Sequence, residues 1–279
     1  MAGVTLQRSR ISTRWRSLDD FKPSRSLAAV YERAVVAGGL LIWAIGGLVF
    51  SLAAIPSLLL RPRSAVSIGR GLLRRTFRFF LRYLAASGLV RMEFSDLERL
   101  AQWAAQPGVS PLIIAPNHPS LLDAVFIMAY VPNVTCIMKA SLLRNPFLRG
   151  GAHLAGFIRN DSPRSMVDQS IAALRSGSNL LIFPEGTRTG SDAEGVGEFK
   201  GGVALIARLS GMRVQPVYFT TSSRYLSKGW PVHRLPQFPL AYSARLGEPL
   251  GLEPQEKVRS FLERMEDHYR RQLQSAALQ

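Results

Sequence analysis

The chain has 279 residues with 47% hydrophobic content, which is enough for one α/β domain with a membrane-associated extension and too short for two large domains. Lys and Arg number 35 against 19 Asp and Glu, and this formal charge of +16 implies an anionic partner: phospholipid headgroups, an acidic carrier, a phosphorylated cofactor or nucleic acid. The single cysteine, Cys136, excludes an intrachain disulfide and a cysteine-based metal cluster, and its apolar surroundings in the sequence predict a buried, inert thiol.

The N-terminal part of the chain carries the membrane signal. Residues 1–26 are polar and rich in Arg and Ser, which predicts a basic, mobile N-terminus. Ala34–Leu60 is a run of 27 residues without a charge. As a helix it is about 40 Å long, against a bilayer hydrocarbon core of about 30 Å. Basic residues flank it on both sides, so the pattern leaves open a tilted single span and a segment that dips into one leaflet.

An amphipathic helix is predicted over Ser67–Ala86. Its arginines recur every four residues along one slowly drifting face, and aromatic and aliphatic residues supply the rest of the surface; they are Arg70, Arg74, Arg78 and Arg82, with Arg75 beside them. We interpret this helix as lying in the headgroup region with its arginines on lipid phosphates. The alternative is a soluble helix with a solvated basic face. Residues 27–90 are thus predicted to form the membrane element.

Residues 91–279 are predicted to form a single globular domain. In chain order the pattern indicates a helix over Phe94–Ala105, a strand over Pro111–Pro116, a helix near Leu121–Tyr130, a strand over Thr135–Met138, a helix that Ser162-Pro163 begins and Gly177 ends, a strand over Asn179–Phe183, a helix over Gly201–Leu209, strands over Arg213–Phe219 and Leu240–Leu246, and a closing helix over Glu253–Gln274. Strands that alternate with helices predict an α/β fold with a largely parallel sheet flanked by helices. In such sheets, sites gather beyond the carboxyl ends of the strands.

The first motif at such a strand end is Asn117-His118-Pro119-Ser120-Leu121-Leu122-Asp123. Neutral imidazole is a suitable general base near neutral pH. If His118 lies in the turn and Asp123 in the first turn of the next helix, the carboxylate accepts Nδ1–H, fixes the tautomer and favours the imidazolium that forms during proton abstraction. Ser120 lies outside a nucleophile elbow, so we interpret it as a structural cap.

The second motif is Phe183-Pro184-Glu185-Gly186-Thr187-Arg188, at the end of another predicted strand. Gly186 lets the backbone approach a ligand, and Arg188 presents a rigid fork for phosphate. Glu185 accepts a hydrogen bond from a substrate hydroxyl or orients Arg188. The alternative for this motif alone is a strand-end turn with a surface ion pair.

Together these motifs resemble those of the lysophospholipid acyltransferase family, which includes the 1-acylglycerol-3-phosphate acyltransferases. Their order and separation match, over roughly residues 90–250. Three further segments fit: Lys139 after a strand, Phe199-Lys200-x-Gly202, and Val214-Gln215-Pro216-Val217. The resemblance implies a glycerolipid acyltransferase-like fold with an N-terminal helical membrane element.

The resemblance also implies a mechanism. His118 deprotonates the acceptor hydroxyl while Asp123 orients it, and the oxygen attacks the thioester of acyl-CoA or acyl carrier protein as co-substrate. The implied substrate-binding residues are Asn117, Ser120, Lys139, Glu185, Gly186, Thr187, Arg188 and Lys200. No bound cofactor and no metal are expected, and the remaining histidines are interpreted as structural or surface residues.

One departure keeps the acceptor open. The family often has Phe-Ile-Asp-Arg after a glycine, whereas this chain has Gly156-Phe157-Ile158-Arg159-Asn160-Asp161, with the arginine shifted and Asp161 in its expected place. Arg159 or Arg164 is a possible substitute. The preferred hypothesis is acylation of 1-acylglycerol-3-phosphate to phosphatidic acid. The alternatives are the same chemistry on a lyso-ornithine lipid, glycolipid or other lipid-pathway hydroxyl, and a non-enzymatic module that binds anionic lipid. We expect the chain at the bacterial inner membrane, with its catalytic domain on the cytoplasmic face, and expect no nucleic-acid partner.

Overall fold

The computed structural model describes residues 25–60, 63–190, 196–231 and 234–277. Most of the predicted basic N-terminus, residues 1–26, lies outside this part of the chain. The helices are α1 (Arg25–Leu60), α2 (Arg63–Ala86), α3 (Ser95–Ala104), α4 (Asp123–Tyr130), α5 (Pro146–Leu154), α6 (Pro163–Arg175), α7 (Gly202–Ser210) and α8 (Val258–Ala277), with a 3₁₀ turn over Ala140–Arg144. The strands are β1 (Val90–Glu93), β2 (Ile113–Pro116), β3 (Val134–Met138), β4 (Ile158–Arg159), β5 (Asn179–Leu181), β6 (Val214–Thr221) and β7 (Leu240–Leu246).

The strands form a single sheet in the order β1-β7-β6-β2-β5-β3-β4. Every neighbouring pair is parallel except β6 with β7, which is antiparallel. The predicted α/β class with a largely parallel sheet is therefore confirmed. β2 and β5 are neighbours, so the segments that follow them meet at the same edge of the sheet.

Two hydrophobic clusters cover the two faces of the sheet. One cluster packs the four helices α1, α2, α3 and α4 against the sheet, around Phe94, Phe126 and Phe219. The other joins α6, α7 and α8 with the opposite face, around Phe261, Met265 and Tyr269. Because the first cluster includes residues of α1 and α2, the apolar N-terminal helices are part of the fold and not a separate appendage.

Helix α1 is long and apolar, and it lies against the globular part. By length and composition its Ser26–Ile55 stretch could cross a membrane, with a mean hydropathy of 2.2. It runs unbroken through the position of Pro56. Its contact with α5 is very close: a Cβ on Gly150 would lie 2.3 Å from the Cα of Ser51, whose hydroxyl donates to Pro146 O (2.6 Å). α1 therefore lies along α5 and does not project from the domain.

Helix α2 returns along α1 and begins earlier than predicted. Tyr83 Oη donates to Val35 O (2.8 Å) and Tyr31 Oη donates to Ser87 O (2.7 Å), which links the two helices. A Cβ on Gly38 would lie 2.4 Å from Tyr83 Oη. Gly38 therefore permits the close packing of α1 against α2.

The interpretation that the arginines of α2 contact lipid phosphates is wrong for Arg70 and Arg74, whose guanidinium groups bind protein groups. Arg70 donates to Ala155 O, Asn133 Oδ1 and Ser178 Oγ. Arg74 donates to the carbonyls of Ala129 and Tyr130, and Arg78 also donates to Ala129 O. The reason is that the last carbonyls of a helix, here α4, lack partners within the helix and accept cations readily. The exposed side of α2 carries Ile68, Leu72, Arg75, Arg78, Phe79 and Arg82. Contact of its three arginines with lipid phosphates stays a prediction.

The pattern missed three short elements: strands β1 and β4 and helix α5. α5 is the most consequential of these, since it packs against α1. Asn145 caps it by accepting a hydrogen bond from Phe147 N (2.9 Å), and Pro146 is its first helical residue. That cap and proline were available in the sequence. At the other end of the chain, α8 begins at Val258, five residues later than the predicted Glu253.

Candidate active site

His118 and Asp123 lie in contact where β2 gives way to α4. His118 Nδ1 is 3.0 Å from Asp123 Oδ2. The same oxygen accepts a hydrogen bond from Ser120 N (2.8 Å), so the turn itself supports the pairing. With Nδ1 held at the carboxylate, the ring nitrogen Nε2 is the one left for a substrate. The geometry predicted for this pair, histidine in the turn and aspartate in the first helical turn, is the one observed.

The carboxylate of Asp123 is fully buried. Its Oδ1 atom has no hydrogen-bond partner among the described residues. Burial raises the pKa of Asp123, and the hydrogen bond with His118 opposes that rise.

Asn117 and Ser120 were predicted to bind substrate, and the structure places both in structural roles. Asn117 is buried, and its amide forms two hydrogen bonds with the backbone of Phe219 in β6. Nδ2 donates to the carbonyl of Phe219 (3.0 Å), and Oδ1 accepts from its N–H (2.7 Å). Ser120 is fully buried and its Oγ accepts from Leu122 N (3.3 Å). Neither side chain lines the cavity at His118. These two residues fix the turn that carries the imidazole.

Glu185 also differs from its predicted role. It is 3% exposed, and its carboxylate accepts from three groups: Oε1 from His118 N (3.1 Å) and Thr189 Oγ1 (2.8 Å), and Oε2 from Gly197 N (2.9 Å). A carboxylate engaged in this way has little capacity left for a substrate hydroxyl. Its role is to tie the second motif to the backbone of His118. Thr189 N adds a second tie by donating to His118 O (2.8 Å).

Arg188 is anchored to a loop that sequence reasoning did not single out. Its Nη1 donates to Leu226 O (2.8 Å) and to Ser227 O (2.9 Å). Leu226 O also accepts from Leu121 N (3.1 Å), so one carbonyl contacts both motifs. Leu226 has a φ of +60°, which is unfavourable for a branched residue. The sequence offers no turn signal at Leu226 that would have marked it.

The rest of the second motif is exposed at the same edge. Gly186 has a φ of +65°, the left-handed region that favours glycine, and its N–H donates to Phe183 O (2.9 Å). Gly186 and Thr187 both line the cavity at His118. Lys200 lies nearby, with its Cγ 3.5 Å from the position of a Cβ on Gly186. Its ammonium is 3.7 Å from Glu198 and does not line the cavity, so its predicted contact with substrate stays a prediction.

Phe183 contacts His118 directly, and sequence reasoning assigned it no role. Its ring stacks on His118, with centroids 3.7 Å apart and an interplanar angle of 18°. Asp123 thus holds one edge of the imidazole and Phe183 covers one face. The spacing of the two motifs does not predict this stacking, because it depends on how the segments after β2 and β5 pack together.

A cavity of ≈ 620 Å³ opens at His118. Cations line one part of it, namely Lys139, after β3, and Arg188. The remainder is mainly apolar and includes Trp43, Phe77, Phe80, Met128, Cys136 and Phe147. α1 and α2 supply much of this wall, so the cavity exists only because the N-terminal helices are docked. Its shape and lining suit an extended hydrocarbon chain with a polar end at His118.

Comparison with known proteins agrees with this geometry. The model of the Acyltransferase family matches residues 91–220, which contain both motifs, β1 to β5 and most of β6. This chain is similar to that family over just under half of its length.

Curated proteins similar to this chain come from bacteria and from a plant. A lyso-ornithine lipid O-acyltransferase of Pseudomonas aeruginosa is 38% identical over 111 residues, which are 38% of this chain and 42% of the relative. A 1-acyl-sn-glycerol-3-phosphate acyltransferase of Helicobacter pylori is 34% identical over 116 residues, 39% and 48% of the two chains. The chloroplastic 1-acyl-sn-glycerol-3-phosphate acyltransferase of Arabidopsis thaliana is 26% identical over 165 residues, 56% and 44%. The chain thus matches about half the length of these curated relatives or less.

A solved structure shares the fold of the whole molecule. It is the crystal structure of the 1-acyl-sn-glycerophosphate acyltransferase of Thermotoga maritima, with a TM-score of 0.63 and 18% identity. The match covers 90% of this chain and 98% of the other. It therefore includes N-terminal residues outside the family match, in line with the packing of α1 and α2 against the rest of the fold.

The segment that departs from the family pattern lies beside the cavity at His118. Arg159 ends β4 and forms an ion pair with Asp161. Asn160 Oδ1 accepts from Ala140 N (3.1 Å). Neither Arg159 nor Arg164 lines the cavity at His118. Within the described part of the chain, the Lys and Arg side chains that line this cavity are Lys139 and Arg188.

The remaining candidates are a metal site, the Cys136 thiol and the other histidines. Across residues 25–60, 63–190, 196–231 and 234–277, no three His, Cys, Asp or Glu side chains are grouped so as to hold a metal ion. Cys136 is buried, as expected, and burial raises the pKa of its thiol to about 12. His153 is exposed and His268 is partly buried, while His233 lies outside the described residues.

Proposed function

We propose that this chain transfers a fatty acyl group from a thioester donor to the hydroxyl of a lysophospholipid, with 1-acylglycerol-3-phosphate as the preferred acceptor. The contact between His118 and Asp123 at the polar end of an apolar cavity carries the proposal. The family match and the names of the relatives support it.

The proposed reaction needs one base and no covalent enzyme intermediate. His118 Nε2 takes the proton of the acceptor hydroxyl as its oxygen attacks the thioester carbonyl, and the imidazolium is stabilised by Asp123. The tetrahedral intermediate then expels the thiolate of the donor. The proton on Nε2 passes to the departing sulfur, which returns His118 to its neutral state. Lys139 and Arg188, which both line the cavity, are placed to hold the acceptor phosphate.

The donor is proposed to be acyl-CoA or acyl carrier protein. Both present the same thioester on a long pantetheine arm, so the contact between His118 and Asp123 serves either. Positive charge on the chain suits the phosphates of CoA and the acidic surface of a carrier protein alike. The acyl chain is placed along the apolar wall that α1 and α2 supply.

A different acceptor is the second candidate. Arg159 is paired with Asp161, so fewer free cations stand beside the cavity than the family pattern would give. An acceptor without a phosphate monoester, such as a lyso-ornithine lipid, is compatible with Lys139 and Arg188 alone. One relative bears the name of such an enzyme.

We infer that the membrane lies against the outer surfaces of α1 and α2. Leu41, Leu52 and Ile55 on α1 and Ile68 and Phe79 on α2 are all more than half exposed. Because α1 is docked along α5, insertion of this surface into one leaflet fits better than a perpendicular span. The division into a membrane element over 27–90 and an acyltransferase domain over 91–279 is proposed as functional, and the cytoplasmic face of the bacterial inner membrane as its location.

An acceptor panel tests the function. Full-length protein is assayed with 1-acylglycerol-3-phosphate, a lyso-ornithine lipid and a lysoglycolipid, each with acyl-CoA and with acyl carrier protein. The proposal expects turnover of 1-acylglycerol-3-phosphate to be fastest, and faster turnover of lyso-ornithine lipid would favour the second candidate. His118→Ala should reduce turnover about 10²–10⁴-fold without loss of membrane binding. Unchanged turnover in that variant would remove His118 as the base.

A further inference from the structure

A second cavity of ≈ 720 Å³ lies between α1, the 3₁₀ turn over Ala140–Arg144, α5 and the end of β4. His118, Lys139 and Arg188 do not line it. It shares Ser141, Ala152 and Phe157 with the cavity at His118, so these residues form a common wall. It is therefore a separate space beside the reaction site.

The polar rim of this cavity is basic. Arg144, Arg149, His153 and Arg159 line it against a single carboxylate, Asp161, which is already paired with Arg159. Within the described part of the chain, the guanidinium groups of Arg144 and Arg149 form no hydrogen bond or ion pair. Arginines elsewhere in the fold, such as Arg74 and Arg188, donate to backbone carbonyls. Arg144 and Arg149 thus keep their donors available for an anion.

The part of α1 that lines this cavity indicates a lipid ligand. Ser51 and Ala54 of α1 line the cavity, and the neighbouring Leu52 and Ile55 are 58% and 53% exposed on the outer surface of the same helix. A ligand with its headgroup among the arginines therefore has an apolar surface directly beside it for its acyl chains. A water-soluble phosphate compound would make no use of that surface.

We propose that the second cavity binds the phosphate headgroup of an anionic bilayer phospholipid, of the phosphatidylglycerol type, whose chains lie along α1. A planar guanidinium group can bind two phosphate oxygens at once, and the guanidinium groups of Arg144 and Arg149 are both available here. The ligand is a bilayer lipid and not the acyl acceptor, because His118 does not line this cavity. The proposal does not depend on the reaction proposed above, since it concerns binding alone.

The test compares charge removal with cavity filling in the full-length protein. Arg144→Gln with Arg149→Gln removes the available cations. Arg91→Gln with Arg175→Gln removes the same charge at exposed positions elsewhere and serves as the matched control. Leu143→Trp fills the cavity, which Leu143 lines, and keeps every charge. Binding is measured by flotation with phosphatidylcholine vesicles that contain phosphatidylglycerol or lysophosphatidate, with inorganic phosphate as a soluble competitor.

The expected result is that Arg144→Gln with Arg149→Gln weakens binding to phosphatidylglycerol vesicles about tenfold or more. Leu143→Trp should weaken it too, and the control pair should leave it nearly unchanged. Loss in the arginine pair alone, with Leu143→Trp unaffected, would indicate diffuse surface attraction and overturn the cavity site. Binding of lysophosphatidate only, or full competition by inorganic phosphate, would overturn the assignment to a bilayer lipid. Thermal unfolding of each variant checks that the fold is retained.

Discussion

The imidazole of His118 lies nearly parallel to the ring of Phe183, with the two centroids 3.7 Å apart. The ring is therefore held on its edge by Asp123 and on its face by Phe183, and it is only 12% exposed. An aromatic face also attracts the cation that forms when the imidazole takes a proton. Asp123 at the start of α4 and Phe183 after β5 thus fix the direction in which Nε2 points.

Replacement of Phe183 should separate turnover from binding. Phe183→Leu keeps an apolar group but removes the flat face, so the ring of His118 gains freedom and kcat should fall about ten- to hundred-fold with little change in KM. Phe183→Tyr keeps the face and should restore most of kcat. Phe77→Leu, in the same cavity but away from His118, should raise KM more than it lowers kcat. Equal kcat for Phe183→Leu and the wild type would contradict a positioning role.

Asp123→Asn should lower kcat and raise the unfolding temperature at neutral pH. Asparagine does not enforce the tautomer of His118, so kcat should fall by about 10⁴. Burial raises the pKa of Asp123, so the folded state binds this proton more tightly than the unfolded chain does. The stability from this carboxyl is therefore present below its unfolded pKa and is lost as the pH rises through the higher folded value.

At neutral pH Asp123→Asn should consequently unfold at a higher temperature than the wild type. Thermal unfolding in detergent at a series of pH values measures this difference, which should grow as the pH rises from the acid range and then level off. A lower unfolding temperature at neutral pH would show that the charged form of Asp123 stabilises the fold.

Glu185→Gln tests whether that residue holds the backbone of His118 or contacts substrate. The amide nitrogen of glutamine would face one of the N–H or O–H donors that now meet the carboxylate. The free energy of unfolding should drop by about 1–3 kcal/mol, and kcat should drop with it. Denaturant unfolding and steady-state kinetics give both quantities. Glu198→Gln, at an 81% exposed side chain, is the control and should alter neither. A rise in KM with unchanged stability would return Glu185 to the role of substrate ligand.

Gly150→Ala should disturb the docking of α1. The new methyl would lie 2.3 Å from Ser51 Cα, so α1 must move away from α5, at a cost of about 1–3 kcal/mol. The apolar cavity loses part of its wall, and KM for the acyl donor should rise. Gly71→Ala in α2 is the matched control, since no atom lies within 4 Å of its Cβ position and alanine favours a helix. Limited proteolysis between α1 and α2 reports the movement, and resistance equal to that of the wild type would argue against it.

Cys136 should resist alkylation in the folded protein. Burial raises the pKa of its thiol to about 12, so the thiolate is scarce at neutral pH, and access to the side chain is restricted. Iodoacetamide should modify it many times more slowly than it modifies a surface cysteine introduced by Ser176→Cys, and denaturant should remove the difference. Mass spectrometry follows both rates. Rapid modification without denaturant would mean that the cavity opens readily.

The sequence by itself determined the fold class and the reacting pair. Alternating strands and helices gave the parallel sheet, and the five-residue spacing of His118 and Asp123 is a local property of one turn, so their contact could be predicted. The two motifs follow neighbouring strands, which placed them at one edge. These inferences hold because they depend on short-range geometry and on a general rule for parallel sheets.

Only the tertiary structure decided what the polar side chains bind. Glu185, Asn117 and Arg74 have the chemistry of ligand-binding residues, yet each is engaged by groups far away in sequence: His118 N, Phe219 and the last carbonyls of α4. A buried polar group must be paired, and its partner is chosen by which backbone groups the packing brings near it. Neither the stacking of Phe183 on His118 nor the wall that α1 adds to the cavity follows from spacing, because both depend on how separate elements pack together.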